Sequence, residues 1–287
     1  MFIALTLCLL LYPVSFEAFR LLMFSATVIV IVGVLDDHRD IPAWSKILVQ
    51  VLIALLLTVA DSNVVLFVGD LLNNGRIQGL GPLAIPFSIV AIVGVINAFN
   101  MIDGHDGVCG LITFISIVAL IFIYIVRGEG IFNQYLVILT LLATVVLVFL
   151  IFNLGICVSK SYQIFMGDAG SYFVGFCIGI ASLLATYASD QKPHAVLAPL
   201  CVLAVPIYDF VTVIFIRLRE GRSPFQPDKN HFSHRLVELG MTPGQAVLTM
   251  YLATATCGLG ALLLPRVSSF LEAGIIVLLV VCVLALV

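Results

Sequence analysis

Four polar clusters punctuate an otherwise apolar chain, and their residue types suggest what chemistry they could do. Asp36 and Asp37 stand together at the end of an apolar run. Asn97, Asn100, Asp103 and Asp106 recur at every third position and run into Asp-Gly-His-Asp-Gly. Asp168 lies between glycines in Phe165-Met166-Gly167-Asp168-Ala169-Gly170-Ser171. Lys229, His231, His234 and Arg235 share the segment Asp228 to Arg235. Adjacent acids at the edge of an apolar segment repel each other and are costly to desolvate, and a bound cation such as magnesium relieves both problems. On a helix the every-third spacing gathers its four residues into a slowly drifting stripe, and the glycines end that helix beside the acids. Glycines around Asp168 let backbone N–H groups approach a phosphate at a helix N-terminus. Imidazole and basic donors together suit a pyrophosphate.

Each cluster also has a plainer reading. Arg39 and Asp40 follow the acid pair, as in a solvated loop. Isolated Asn or Asp residues at helix ends are usually caps, and Asp168 could cap the helix after it. The histidine segment could be an ordinary connection. A zinc site is disfavoured, because no His-Glu-x-x-His is present and further ligands are lacking nearby. Taken together, carboxylates for a metal and cations for phosphates describe phosphoryl transfer. Such chemistry depends on positioning and charge neutralisation more than on a covalent protein nucleophile.

The elements that must hold these residues are membrane helices. Of 287 residues, 62% are hydrophobic and 10% charged, with a mean hydropathy of +1.22; a soluble domain carries roughly 25% charged residues. Such a chain cannot cover a globule with polar surface, and about 20 apolar residues span hydrocarbon as a helix. We expect an all-α bundle of about ten transmembrane helices forming one domain over residues 1–287. The apolar segments are Met1–Val14, Phe19–Leu35, Ile47–Ala60 (extending back to Ala43), Leu83–Met101, Val108–Val126, Tyr135–Asn153, Tyr172–Ala188, Val196–Leu218, Ala246–Leu264 and Phe270–Val287. Pro206 should kink its helix, and Asp209, one turn on, should face protein or water. Asn74-Gly75 between two short apolar runs predicts a small extracytoplasmic β-hairpin. The seven cysteines form no Cys-x-x-Cys pair and read as small apolar fillers. The net charge is −3 and no basic run suggests nucleic acid.

Alternation of spans places all four polar clusters on one membrane face. Eight Lys and Arg residues fall on that face and five on the other, which makes it cytoplasmic by the positive-inside rule. Four clusters distant in sequence but sharing one face are the expectation for a single active site. Secondary transporters instead carry their sites near the midplane, where Asp209 is the main candidate acid. A structural subunit would not need the clustering.

In order along the chain, Leu-Asp-Asp at 35–37, Asn-Ala-Phe-Asn-Met-Ile-Asp-Gly-His-Asp-Gly at 97–107, Phe-Met-Gly-Asp-Ala-Gly-Ser at 165–171 and Ser-Pro-Phe-Gln-Pro-Asp-Lys-Asn-His-Phe-Ser-His-Arg-Leu at 223–236 resemble the polyprenyl-phosphate N-acetylhexosamine-1-phosphate transferase superfamily. The resemblance runs from about Leu35 to Leu264. It implies transfer of a sugar 1-phosphate, GlcNAc-1-phosphate by the form of the histidine segment, from a UDP-sugar to undecaprenyl phosphate, releasing UMP. It implies Asn100 and Asp168 as ligands of magnesium, with manganese as a substitute. Asp36 and Asp37 would lie near the phosphates, one of them deprotonating the lipid phosphate, and Asp103 and His231 complete the catalytic set. Lys46 would contact phosphate, Asp106 and Phe165 would hold the uracil, Lys229, His234 and Arg235 would grip the pyrophosphate, and Asn97 belongs to the substrate site. The implied partners are the UDP-N-acetylhexosamine donor, the polyprenyl phosphate acceptor, the bilayer and a second copy in a homodimer. The implied place is a bacterial inner membrane, with the active site toward the cytoplasm. A phospho-MurNAc-pentapeptide transferase is the alternative within the superfamily, although that branch carries three successive histidines. The chain departs from the pattern in lacking the family's first helix and a first loop rich in Lys, His, Pro and Gly, and in placing His105 at a usually apolar position.

Overall fold

The computed structural model describes residues 1–11, 19–60, 64–70, 76–103, 107–128, 134–156, 164–186, 193–224 and 231–286. Among these, twelve α-helices follow in order: α1 (Phe2–Leu11), α2 (Arg20–Arg39), α3 (Ala43–Ala60), α4 (Ala84–Ile102), α5 (Val108–Val126), α6 (Gln134–Asn153), α7 (Gly167–Ala185), α8 (Ala198–Val202), α9 (Ala204–Arg219), α10 (Phe232–Glu238), α11 (Pro243–Leu263) and α12 (Phe270–Leu286). Leucine-rich faces such as Leu48, Leu52 and Val59 on α3 remain exposed, as a bundle solvated by lipid requires. The protein is a multi-pass membrane protein.

The described residues bear out the helical membrane bundle but not the full count of ten spans. Among the described residues, seven helical stretches are long and apolar enough to cross, and an eighth is if α8 and α9 act as one broken span. α1, with 10 residues, and α12 are shorter apolar helices. The apolar runs were read correctly, but a run in sequence need not become one uninterrupted helix. The α8–α9 break shows why. Pro206 has no N–H to give to Val202 and its ring crowds that carbonyl, so the chain breaks at Leu203 and bends by 66°.

α7 is the centre of the bundle. Of its most apolar stretch 78% is buried, against 28% for α3, and it packs on α2, α4 and α5. Small residues allow this closeness. A Cβ added at Gly175 would lie 3.0 Å from the Ile96 Cα on α4, and one at Gly33 of α2 would lie 2.3 Å from the Ala169 Cα on α7. Tyr124 donates to the Ala181 carbonyl and Arg127 to the Leu184 carbonyl, tying α5 to the far end of α7. Between α3 and α4, Asn97 Nδ2 donates to Gln50 Oε1 at 2.6 Å and to the Val93 carbonyl at 2.8 Å, an amide clamp within the apolar layer.

The expected hairpin is present only as a short pairing. Phe67 and Gly79 form an antiparallel bridge, flanked by bonds between Val68 N and Gln78 O and between Leu80 N and Leu66 O. No strand forms among the described residues, and Asn74-Gly75 lies outside them.

Candidate functional site

The site starts from the crossing of α2 and α7. Gly33 lets the α2 backbone lie against the first turn of α7, and Asp37, one helical turn further along α2, then reaches the α7 N-terminus. The first N–H groups of a helix lack partners within it. Asp37 supplies them: Oδ1 accepts from Asp168 N at 2.8 Å and Oδ2 from Ala169 N at 3.2 Å. Gly167 enters this turn with φ +65°, a conformation that side chains resist. This corrects two expectations. Asp168 does not cap its own helix, and the N–H groups of Asp168 and Ala169 meet a carboxylate rather than standing open to a phosphate.

Asp36 points the other way, into protein, and is only 3% exposed. It accepts from Lys46 Nζ at 2.6 Å, Ile41 N at 3.0 Å and Tyr172 Oη at 3.1 Å. The turn that allows this is Asp40-Ile41-Pro42. Asp40 takes a left-handed φ of 44°, which Asp tolerates better than most residues, and Pro42 restarts the chain into α3. Lys46 thereby folds back on the acid ten positions before it.

On α4, Asn100 Nδ2 donates to Asp168 Oδ1 at 2.6 Å and to Ser171 Oγ at 3.0 Å. The Asp36 and Asp168 carboxyl groups are close enough to act on each other electrostatically. Like charges tolerate that approach only with a proton or a cation between them. Asp36, Asp37, Asn100 and Asp168 therefore form one oxygen-rich cluster drawn from three helices.

Beside the cluster is a cavity of about 440 Å³. Lys46, Asn97, Asn100, Asp103, Tyr172, Arg217 and His231 contribute its polar wall, and Ile47, Val93, Phe210 and Ile214 line an apolar side. His231 precedes α10 and is held by α9: its Nδ1 lies 3.2 Å from Asp209 Oδ2. Arg235 Nη2 donates to Thr212 Oγ1 at 3.0 Å, and its guanidinium sits 5.5 Å from the Tyr208 ring. His234 lies beside His231, with ring centroids 6.1 Å apart.

The structure thus brings Asp36, Asp37, Lys46, Asn97, Asn100, Asp103, Asp168 and His231 to one end of the bundle. Asn97 is also engaged with Gln50, and Lys46 with Asp36. Phe165 is 73% exposed beside the α7 N-terminus. Asp106, Lys229 and His105 lie outside the described residues. Asp209, expected to face protein or water, is buried and joins the His231 segment. Sequence reasoning missed Tyr172, Asp209 and Gln50 as parts of this assembly and counted Arg217 only as a charge. An acid or amide inside an apolar run was a usable signal for Asp209 and Gln50; nothing marked Tyr172.

The chain is 34% identical over 237 residues to the undecaprenyl-phosphate alpha-N-acetylglucosaminyl 1-phosphate transferase of Haemophilus influenzae, covering 83% of this chain and 65% of that protein. It is 36% identical over 255 residues to the protein of that name from Pasteurella multocida, covering 86% of this chain and 68% of the relative. An Escherichia coli protein of the same name is 39% identical over 110 residues, 38% of this chain and 29% of its own length. The chain thus spans about two thirds of the first two relatives. The model of glycosyl transferase family 4 matches residues 19–186, which hold α2 to α7 and every residue of the carboxylate cluster, and the chain belongs to that family.

Proposed function

We propose that this protein transfers GlcNAc 1-phosphate from UDP-GlcNAc to undecaprenyl phosphate and releases UMP. The observation that carries the reading is the cavity where an acidic cluster from α2, α4 and α7 meets Lys46, Arg217 and His231 at one end of membrane helices. The relatives' names supply the substrate class. In the reaction an oxygen of the lipid phosphate attacks the sugar-bearing phosphorus. A new P–O bond forms there, the bond to the bridging oxygen breaks, and UMP departs with that oxygen.

The residues fit magnesium. Asp168 offers carboxylate oxygens, and Asn100, whose Nδ2 meets Asp168, carries an amide oxygen on the same side chain, with Asp36 nearby. Magnesium takes one or two protein carboxylates and completes its shell with water and phosphate oxygens. No group of three His, Cys, Asp or Glu could hold a metal by itself among the described residues, and magnesium does not require one. When bound, the ion neutralises charge on the donor's phosphates. Asp37 holds the Asp168 turn in place. Lys46, bridging Asp36 and the cavity, meets the acceptor phosphate, and the apolar wall on α3, α4 and α9 suits the start of a lipid chain. His231 and Arg217, with His234 and Arg235 nearby and Lys229 from the same stretch of sequence, grip the donor pyrophosphate through charge-assisted hydrogen bonds. Phe165, exposed at the rim, and Asp106 hold the uracil, and Asp103 completes the polar wall. The site faces the cytoplasm of a bacterial inner membrane, with the 64–80 pairing on the other face and the two short apolar helices completing ten membrane segments.

The test is release of UMP from UDP-GlcNAc by purified protein supplied with undecaprenyl phosphate and magnesium. Release that requires both the lipid and the metal is expected. No release from any UDP-sugar refutes the reading, and preference for UDP-MurNAc-pentapeptide moves the protein to the other branch.

A further inference from the structure

We infer that Asp209 is a positioning residue for the donor site: it fixes the His231 ring by Nδ1, so that Nε2 is the nitrogen left to meet a substrate. This rests on the functional reading above. Asp209 is wholly buried in α9, where an unpartnered carboxylate would be strongly disfavoured. Its partners all come from the start of α10. Oδ1 accepts from Phe232 N at 2.5 Å and Oδ2 faces His231 Nδ1 at 3.2 Å, while Arg235 Nη2 lies 4.0 Å from Oδ1. An ionised carboxylate only accepts hydrogen bonds, so the ring must carry a proton on Nδ1 to make this contact. His231 at the same time lines the cavity with Lys46, Asn100 and Arg217.

The break at Leu203 gives this arrangement its geometry. α9 starts afresh after the 66° bend, which turns Asp209 and Thr212 toward the α10 segment, and Thr212 accepts from Arg235. A single acid inside an apolar helix thereby sets both the ring orientation of His231 and the place of the basic residue four positions on. A plain structural staple between α9 and α10 would show the same bonds. The two accounts differ in whether Asp209 acts through His231.

The test is a double-mutant cycle on the full chain in nanodiscs, read as UMP release. Asp209→Asn keeps the shape and loses the charge, and should lower kcat/KM about tenfold to a hundredfold, the loss of one charge-assisted hydrogen bond. In a His231→Ala background the same change should cost no more than about twofold, because non-additivity marks residues that act as a unit. Equal losses in both backgrounds, or a near wild-type Asp209→Asn enzyme, overturn the inference. A second measurement is independent of activity and of the folding of the Asp209 variant. In ¹⁵N-histidine spectra of the wild-type protein, assigned by the resonance missing from His231→Ala, the His231 ring should carry its proton on Nδ1. A deprotonated Nδ1 overturns the positioning role, whereas absent UMP release with a protonated Nδ1 overturns only the functional reading.

Discussion

Gly33→Ala tests whether helix packing, and not only polar chemistry, holds the site. The new methyl would stand 2.3 Å from the Ala169 Cα and 2.7 Å from its backbone nitrogen, whereas ordinary contact begins at 3.4 Å. Both obstacles are backbone, so no side chain can swing aside. α2 and α7 must separate by about 1.1 Å or more, the gap between those distances. Moved that far along its length, the 2.8 Å bond from Asp168 N to Asp37 stretches to about 3.9 Å, beyond hydrogen-bonding range. Overpacking of this kind costs about 1–3 kcal/mol. A misplacement near 1 Å costs about a hundredfold in rate. The assay is UMP release together with thermal unfolding in detergent. Gly274→Ala on α12 is the control, since a Cβ there meets nothing within 4 Å. Ala169→Gly should not rescue Gly33→Ala, because the clash is with the backbone. If Gly33→Ala keeps both activity and Tm at wild-type levels, the close approach of α2 and α7 is not what sets the site.

Three further outcomes follow from the same contacts. Asp168→Asn should abolish magnesium-dependent turnover while leaving Tm in metal-free buffer unchanged or higher, because it removes one charge facing Asp36; retained activity would exclude Asp168 as a ligand. Asp37→Asn can keep only one of the two bonds that cap α7, through its remaining oxygen, while Asp37→Ala loses both and should cost about 0.5–2 kcal/mol of stability and more turnover than the Asn variant; equal loss of turnover in two folded variants would mean that the Asp37 charge, not its cap, matters. Lys46→Met strips Asp36 of its ammonium partner and should destabilise by about 1.5–3 kcal/mol, the range for losing a hydrogen bond to a charged group, whereas Lys46→Arg should be milder; a Lys46→Met protein with wild-type Tm would show that Tyr172 and Ile41 suffice.

Much of the fold was legible because hydrocarbon enforces a simple rule. A backbone in lipid must satisfy its own hydrogen bonds, so each long apolar run becomes a helix. The expected Val108–Val126 coincides with α5, and the others shift by a few residues at their ends. Val196–Leu218 was less legible, because Pro206 acts on a carbonyl four residues upstream and breaks the helix before the proline itself. The hairpin was legible only as a tendency: its turn chemistry is local, but a strand needs a sheet to join.

The site divides along the same line. Residue types, spacing and span parity are properties of the chain alone, and from them four polar clusters stand out as candidates for one site; the structure gathers Asp36, Asp37, Asn100 and Asp168 from three of them at one end of the bundle. What each carboxylate touches depends on packing. Asp36 and Asp37 are neighbours in sequence, yet successive helical residues point about 100° apart. One therefore turns inward to Lys46 and Tyr172, and the other outward onto the first turn of α7. Asp209 lies 22 residues from His231 inside an apolar run, and no local pattern joins them. Their pairing exists because a bent span and a short helix pack together, and packing between distant segments is the information that a linear pattern does not carry.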